Sequence, residues 1–167
     1  MSKSPARFHS LLHSAYILEK RLTRLLAPLG VRPRQARILN ALDSMGAASQ
    51  VTLSREFGVT AGSMSTMIDR LLALGLVSRH KDKFDRRGDV IALTPKGEQM
   101  LIEVRAVWKQ IDDLLESKLG VAKTTSLIAL TRELKGMLGG RVPGRGLPYR
   151  SVDDLVKGRV RKRHEEI

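Results

Sequence analysis

The chain of 167 residues is strongly basic, with 30 lysines and arginines against 17 aspartates and glutamates and a formal net charge of +13. Its length fits one domain, and its 42% hydrophobic and 28% charged residues exclude a wholly disordered chain or a collagen-like repeat. The absence of cysteine excludes disulfides, thiolate metal sites and thiol-based redox switches.

No segment has the composition of a membrane span. The longest stretch without charge, Phe57 to Ile68, has twelve residues and is rich in Gly, Ser and Thr, whereas a spanning helix needs about 20 apolar residues. Polar residues interrupt the apolar run after Lys3 and Arg7, so it lacks a signal-peptide core. We therefore expect no membrane partner and a cytoplasmic protein.

The positive charge is unevenly distributed. Residues 1–30, 31–96 and 141–167 carry net charges of +4, +5 and +4, whereas residues 97–140 are neutral and rich in leucine. This pattern indicates a packing element beside a surface suited to a polyanion, and nucleic acid is the leading candidate partner.

Two long amphipathic helices are predicted by apolar residues that recur at alternating spacings of three and four. The first covers Phe8 to Leu29. The second is capped by Thr94, begins at Pro95 and continues beyond Leu114, and another helix follows it and ends before Gly139. The apolar stripes of these helices need a partner surface.

Between the long helices lies a predicted helix-turn-helix. Pro33 to Ser44 forms one helix and Thr52 to Phe57 a short second one, which Gly58 ends. Thr60 then caps a third helix, Ala61 to Leu74. One face of this third helix is apolar, and the other carries the small polar residues that we identify as candidate DNA contacts, together with the capping residue: Thr60, Ala61, Gly62, Ser63, Ser65 and Thr66.

A β-hairpin follows, with strands at Leu76 to His80 and Val90 to Leu93. Helix, turn, helix and hairpin is the order of a winged helix-turn-helix, so we predict a mostly α fold with a small β wing. A guanidinium at such a tip can enter the narrow minor groove, and a neighbouring carboxylate can hold it in place. The candidate wing contacts are Lys81, Lys83, Asp85, Arg86 and Arg87.

The sequences L-L-A-L-G-L-V-S-R-H from Leu71 and D-R-R-G-D-V-I-A-L-T-P-K-G from Asp85 resemble the MarR-type (multiple antibiotic resistance) regulators. The wing signature of that family is Asp-x-Arg followed at a fixed distance by Leu-Thr-x-x-Gly. The resemblance implies that Arg87 enters the minor groove and that Asp85 orients it.

The resemblance also implies a homodimer on a palindromic operator, with interlocking terminal helices. It divides the chain into an N-terminal dimerisation helix (1–30), a DNA-binding lobe (31–96), C-terminal dimerisation helices (97–138) and a Gly/Pro linker with a basic tail (139–167). The expected interface residues are Leu11, Leu18, Leu22, Leu25, Ile111, Leu114, Leu130 and Leu134.

Family members that bind phenolic ligands use a pocket between the dimerisation helices and the lobe. The residues of this chain that could approach such a pocket are His9, His13, Tyr16, Arg37 and Trp108. His9 and His13 are four residues apart on a predicted helix and could both bind a zinc ion from one face. No third ligand is evident, so we expect no metal or cofactor.

No nucleophile elbow or phosphate-binding loop is present, and we therefore expect a DNA-binding regulator, a repressor released by a small molecule, rather than an enzyme. Two alternatives remain: an architectural protein that coats DNA without sequence preference, and a winged-helix module that binds other proteins. The basic tail could bind DNA, bind RNA or serve solubility.

Overall fold

The computed structural model describes residues 6–82 and 88–147 together with Arg150 and Val152. The mostly helical fold with a small antiparallel sheet confirms the predicted class. Its elements in chain order are α1 (Phe8–Leu26), α2 (Pro33–Met45), β1 (Ala47–Ser49), α3 (Gln50–Phe57), α4 (Ala61–Ala73), β2 (Val77–Lys81), β3 (Asp89–Leu93), α5 (Pro95–Leu119) and α6 (Val121–Met137).

The core lies where α2 packs against α4 and α5. Ile38, Leu39 and Leu42 of α2 are completely buried, as are Met64 and Ile68 of α4. These positions recur every three or four residues, so each helix turns one apolar face inward. Burial of each such side chain contributes about 1.5–3 kcal/mol, which fixes α4 firmly on the lobe.

The long N-terminal helix is shorter than predicted. It ends at Leu26, and Ala27–Leu29 form a 3₁₀ turn with Pro28 in its first turn. Proline lacks the amide hydrogen that would continue an α-helical ladder, and Gly30 then adopts a positive φ of 71°. The apolar stripe extends beyond the helix because residues of the turn still face the core.

The sheet has a third strand that the sequence did not reveal. Its order is β1-β3-β2, with Ala47 opposite Ala92 and Ser49 opposite Val90. Ala-Ala-Ser carries no β-branched or aromatic signal, so β1 forms because β3 offers it a free edge. The β2–β3 hairpin lies close to its predicted position: β2 is shifted by one residue, from Leu76–His80 to Val77–Lys81, and β3 begins one residue earlier, at Asp89.

Large apolar side chains remain exposed on the two terminal helices. Phe8, Leu12 and Ile17 of α1 are more than half exposed, as is Leu130 of α6. A contiguous exposed apolar face is unusual on a protein that acts alone. None of the helices within the described residues is both long enough and apolar enough to cross a membrane.

The chain after α6 returns to the lobe. Residues 141–147 with Arg150 and Val152, hereafter the strap, pack beside α2 and the β1 edge of the sheet. Gly144 is buried, and its amide donates to the carboxylate of Glu56 at 3.1 Å. The glycine and proline content indicated a linker, but this part of the segment has fixed contacts.

Candidate nucleic-acid interface

The N-terminus of α4 is capped as predicted. The Thr60 hydroxyl accepts a hydrogen bond from the Ser63 amide at 3.2 Å and donates to the Ser63 hydroxyl at 3.0 Å. The remaining amides of the first turn have no partner within the helix, and the helix dipole adds a partial positive charge there. This end of α4 is therefore suited to an anionic partner such as a phosphate.

The outer face of α4 is small and polar. Ala61, Gly62, Ser63 and Thr66 are exposed and Ser65 is partly exposed. No atom lies within 4 Å of the place where a Cβ of Gly62 would stand. A flat surface of this kind allows the helix backbone to approach a groove closely.

Contacts on both sides hold α4 in its orientation. The Gln50 side-chain amide donates to the Ala61 carbonyl at 3.4 Å, which joins the start of α3 to the start of α4. Arg79 of β2 lies 3.6 Å from Asp69, so the wing is also joined to α4. Both residues of this ion pair are substantially exposed, and its contribution to stability is small.

The base of the wing contains a second ion pair, with the Lys81 ammonium 2.7 Å from the Asp89 carboxylate. This hydrogen bond lowers the pKa of Asp89, and the nearby charges of Lys81 and Arg79 act in the same direction. The side chain of Lys81, a predicted DNA contact at the end of β2, is thus held by Asp89. The other predicted wing contacts, Lys83, Asp85, Arg86 and Arg87, lie outside the described residues.

The Leu-Thr-x-x-Gly signature fixes the wing to the body. The Thr94 hydroxyl donates to the Gly75 carbonyl at 2.7 Å and accepts from the Gly97 amide at 3.0 Å. The Lys96 ammonium donates to the Leu74 carbonyl at 2.8 Å. One short segment therefore caps α5 and ties it to the turn between α4 and β2.

A cavity of about 710 Å³ lies beside α4, where the N-terminus of α2 meets α1. Three arginines, Arg32, Arg34 and Arg70, line it together with Ser63 and other residues: Glu19, Thr23, Pro33, Gln35, Thr66 and Met67. None of these arginines was among the site residues predicted from the sequence. Arg32 and Arg34 flank Pro33 in the sequence, and only the fold brings them near Arg70.

The residues proposed for a ligand pocket occupy different places. Tyr16 lines a smaller cavity of about 340 Å³ that shares Glu19 and Thr23 with the larger one. Arg37 lines another cavity and stacks over Phe57 at 5.6 Å. Trp108 packs against the core, and the His13 ring is 6.5 Å from that of Tyr16. Of the cavities that these residues line, the one at Tyr16 lies next to the α4 cavity.

His9 and His13 are both exposed on α1. Among the described residues, no group of three or more potential ligands of the His, Cys, Asp and Glu types has the proximity required for a metal ion.

The predicted interface residues divide into three groups. Leu22 and Leu25 pack partly against the chain's own core. Leu11, Leu130 and Leu134 are 45%, 64% and 41% exposed, and Leu18, Ile111 and Leu114 are intermediate. The exposed residues therefore lie on α1 and α6.

The arrangement defines a class of protein: a winged helix-turn-helix, with a capped, small-faced second helix and a hairpin joined to it. Comparison with known proteins agrees with this class. The model of the MarR family matches residues 29–88. The multiple antibiotic resistance protein MarR of Salmonella typhimurium is 32% identical over 79 residues, which are 47% of this chain and 55% of that protein. The chain thus matches about half the length of this curated relative.

Solved structures share the fold over most of the chain. The transcriptional repressor CouR bound to a 23-mer DNA duplex has a TM-score of 0.72 and 22% identity, covering 77% of this chain and 92% of CouR. A second structure is that of BpsR from Bordetella bronchiseptica, whose DNA binding is regulated by 6-hydroxynicotinic acid. It has a TM-score of 0.70 and 23% identity, and the match covers 81% of this chain and 96% of BpsR. Residues 29–88 are thus similar to the MarR family, and the chain shares the winged helix-turn-helix fold of these solved structures.

Proposed function

We propose that this protein is a homodimeric transcription regulator that binds an operator in double-stranded DNA, with α4 in the major groove and the wing in the adjacent minor groove. The observation that carries the proposal is the exposed, capped and sterically small N-terminus of α4, a helix that the Arg79–Asp69 ion pair joins to a cationic hairpin. CouR, which shares the fold, is a transcriptional repressor whose structure was solved bound to a DNA duplex.

Dimer formation is supported by the exposed apolar faces of α1 and α6. Many of their large apolar side chains remain substantially exposed in the described part of the chain, and a second copy would bury them. A two-fold dimer presents two α4 helices, which requires a palindromic operator with half-sites one helical turn apart.

Release by a small molecule is supported by the cavity at α4. Arg32, Arg34 and Arg70 offer three guanidinium groups, which favour a ligand with a carboxylate. BpsR, which shares the fold, is a protein whose DNA binding is regulated by 6-hydroxynicotinic acid. A ligand in this cavity would contact α1, α2 and α4 together and could shift the spacing between the two recognition helices.

The test is selection of bound fragments from the genome of the source organism, followed by titration of the selected site against unrelated duplex. We expect a palindromic site and a specificity ratio of at least about 10³. The variant Ser63→Asp, which places a carboxylate at the α4 N-terminus, should lose operator binding while remaining folded. Ser117→Asp at the exposed end of α5 is the matched control and should bind normally.

Other outcomes would support different functions. A specificity ratio near one would indicate an architectural protein that coats DNA. Failure to bind any duplex at low salt would indicate a protein-interaction module. Either result would overturn the proposed regulator.

A further inference from the structure

The cavity that Arg37 lines is separate from the α4 cavity and has a volume of about 180 Å³. Three parts of the chain form its walls: α2, the last turn of α6 and the start of the strap. Its described lining residues are Arg37 and Asn40 of α2, Lys135 of α6, and Arg141, Val142 and Pro143 of the strap. None of these residues is acidic, whereas the lining of the α4 cavity includes Glu19.

A tight turn in the strap builds one wall of this cavity. The amide of Arg145 donates to the Val142 carbonyl at 3.1 Å, and Gly144, in the third position of the turn, has a φ of 80°. Proline in the second position followed by glycine with a positive φ is the pattern of a type II turn. The Gly144 amide donates to the Glu56 carboxylate at 3.1 Å, so the turn has a fixed place on the lobe.

Packing holds two of the three cations of this cavity. The Arg37 guanidinium lies over the Phe57 ring, 5.6 Å from its centroid. The stem of Lys135 lies against Gly140, where a Cβ would stand 2.6 Å from the lysine Cγ, and the Lys135 carbonyl accepts from the Gly140 amide at 2.8 Å. Both cations are therefore positioned by contacts that do not involve a ligand.

The charges of the cavity are not neutralised by acids. Ion pairs within the described residues include none of its three cations. Asp43, the one acidic residue of α2, pairs instead with Arg105 at 2.7 Å, and Arg105 also donates to the Asn40 side-chain oxygen at 3.1 Å. This hydrogen bond leaves the Asn40 amide nitrogen available as a donor. A concave surface with charges of one sign concentrates small ions of the opposite sign.

We propose that this cavity binds a small free oxyanion of the phosphate class. Its volume corresponds to about six water molecules, which suits inorganic phosphate and is below the roughly 300 Å³ at which pockets for drug-sized ligands begin. The cations stand on three different walls, and a tetrahedral dianion accepts hydrogen bonds from several directions, whereas a carboxylate is planar and carries a single charge. The bound anion would join α2 of the lobe to α6 and the strap.

The experiment is a titration of the full chain, without DNA, with inorganic phosphate that replaces chloride at constant ionic strength. Heteronuclear NMR follows the Asn40 side-chain amide and the Val142 backbone amide, which report on two walls of the cavity. We expect both signals to shift and to saturate, with half-saturation on the order of 1 mM phosphate. The Ser63 amide is followed as well, so that phosphate bound in the α4 cavity is recognised separately.

Variants connect the response to the cations of the cavity. Lys135→Gln/Arg141→Gln removes two of the three and should raise the half-saturating phosphate concentration by about tenfold or more. The matched control Lys118→Gln/Arg132→Gln removes one lysine and one arginine from exposed positions of α5 and α6 and should respond like the parent protein. Arg141→Gln alone changes only an exposed side chain, should give a smaller loss, and keeps the test decisive if the double variant does not fold.

Shifts that do not saturate, that chloride produces equally, or that persist unchanged in the variants of Lys135 and Arg141 would overturn the inference. The same shifts on addition of a DNA duplex in phosphate-free buffer would also overturn it, because they would assign the site to a backbone phosphate of DNA. The titration uses the protein without DNA, so its failure would leave the proposed function standing.

Discussion

Gly97 stands directly against the carbonyl of Leu76, and any Cβ at position 97 would collide with that oxygen. The same Cβ would lie 3.3 Å from the Leu93 side chain. The first turn of α5 therefore packs on the backbone that links α4 to β2. This contact explains why the Leu-Thr-x-x-Gly signature ends in glycine.

Gly97→Ala should lower the free energy of unfolding by about 1–3 kcal/mol, because either α5 or the Leu76 backbone must shift. Gly136→Ala in α6 is the matched control, since a Cβ there meets nothing within 4 Å and alanine favours the helix by about 0.5–1 kcal/mol. Urea unfolding at one fixed protein concentration measures both. A Gly97→Ala variant as stable as the parent would contradict the packing.

Gly62→Ala should separate stability from DNA binding. Its Cβ would point into open space, so the substitution should raise the free energy of unfolding by about 0.4–1 kcal/mol. The same methyl group would stand between α4 and the DNA, and the larger Gly62→Leu should weaken operator binding further. The measurement pairs urea unfolding with operator titration. Stronger binding by Gly62→Leu would contradict a close approach of α4.

The sequence predicted those elements whose signals are local. Thr60 and Thr94 each precede an apolar periodicity, and both cap their helices in the structure. Gly58 similarly adopts the left-handed conformation, with a φ of 60°, at the end of α3. Caps and turns depend on neighbouring residues, so a single sequence is enough to locate them.

Features that depend on long-range contacts were not predictable. β1 exists only because β3 pairs with it. The arginines of the α4 cavity come from α2 and α4, and the strap is fixed by Glu56, which is 88 positions from Gly144 in the sequence. Composition could identify glycine, proline and charge in these segments but not the surfaces that they contact.

The carboxyl group of Asp89 should titrate below its ordinary pKa because the Lys81 ammonium hydrogen-bonds to it. A depressed pKa in the folded state stabilises the fold above the pKa of the unfolded chain, and this stabilisation is lost as the pH falls through the folded value, below about pH 4. Lys81→Gln should return the pKa toward the ordinary value, and Arg79→Gln should have a smaller effect. Carboxyl NMR titration measures this order, and an unchanged Asp89 pKa in Lys81→Gln would contradict it.

Leu130→Glu/Leu134→Glu should convert the proposed dimer to a monomer, because both side chains lie on the exposed apolar face of α6. Light scattering should give twice the 18.6 kDa chain mass for the parent and once that mass for the variant. Thr125→Glu, at another exposed position of α6, is the control and should remain dimeric. A parent protein that is monomeric at micromolar concentration would exclude the interface.

Arg87→Ala should weaken operator binding by about 1–3 kcal/mol if this arginine enters the minor groove as the family resemblance implies. Asp85→Asn should produce a smaller loss, since it removes the charge that would orient Arg87 and leaves the cation in place. Arg132→Ala, an exposed cation on α6, is the control for nonspecific loss of charge. Titration at one fixed salt concentration compares the three variants. Equal affinities for Arg87→Ala and Arg132→Ala would show that the wing does not read this DNA, and the base of the hairpin would then owe its ion pairs to folding alone.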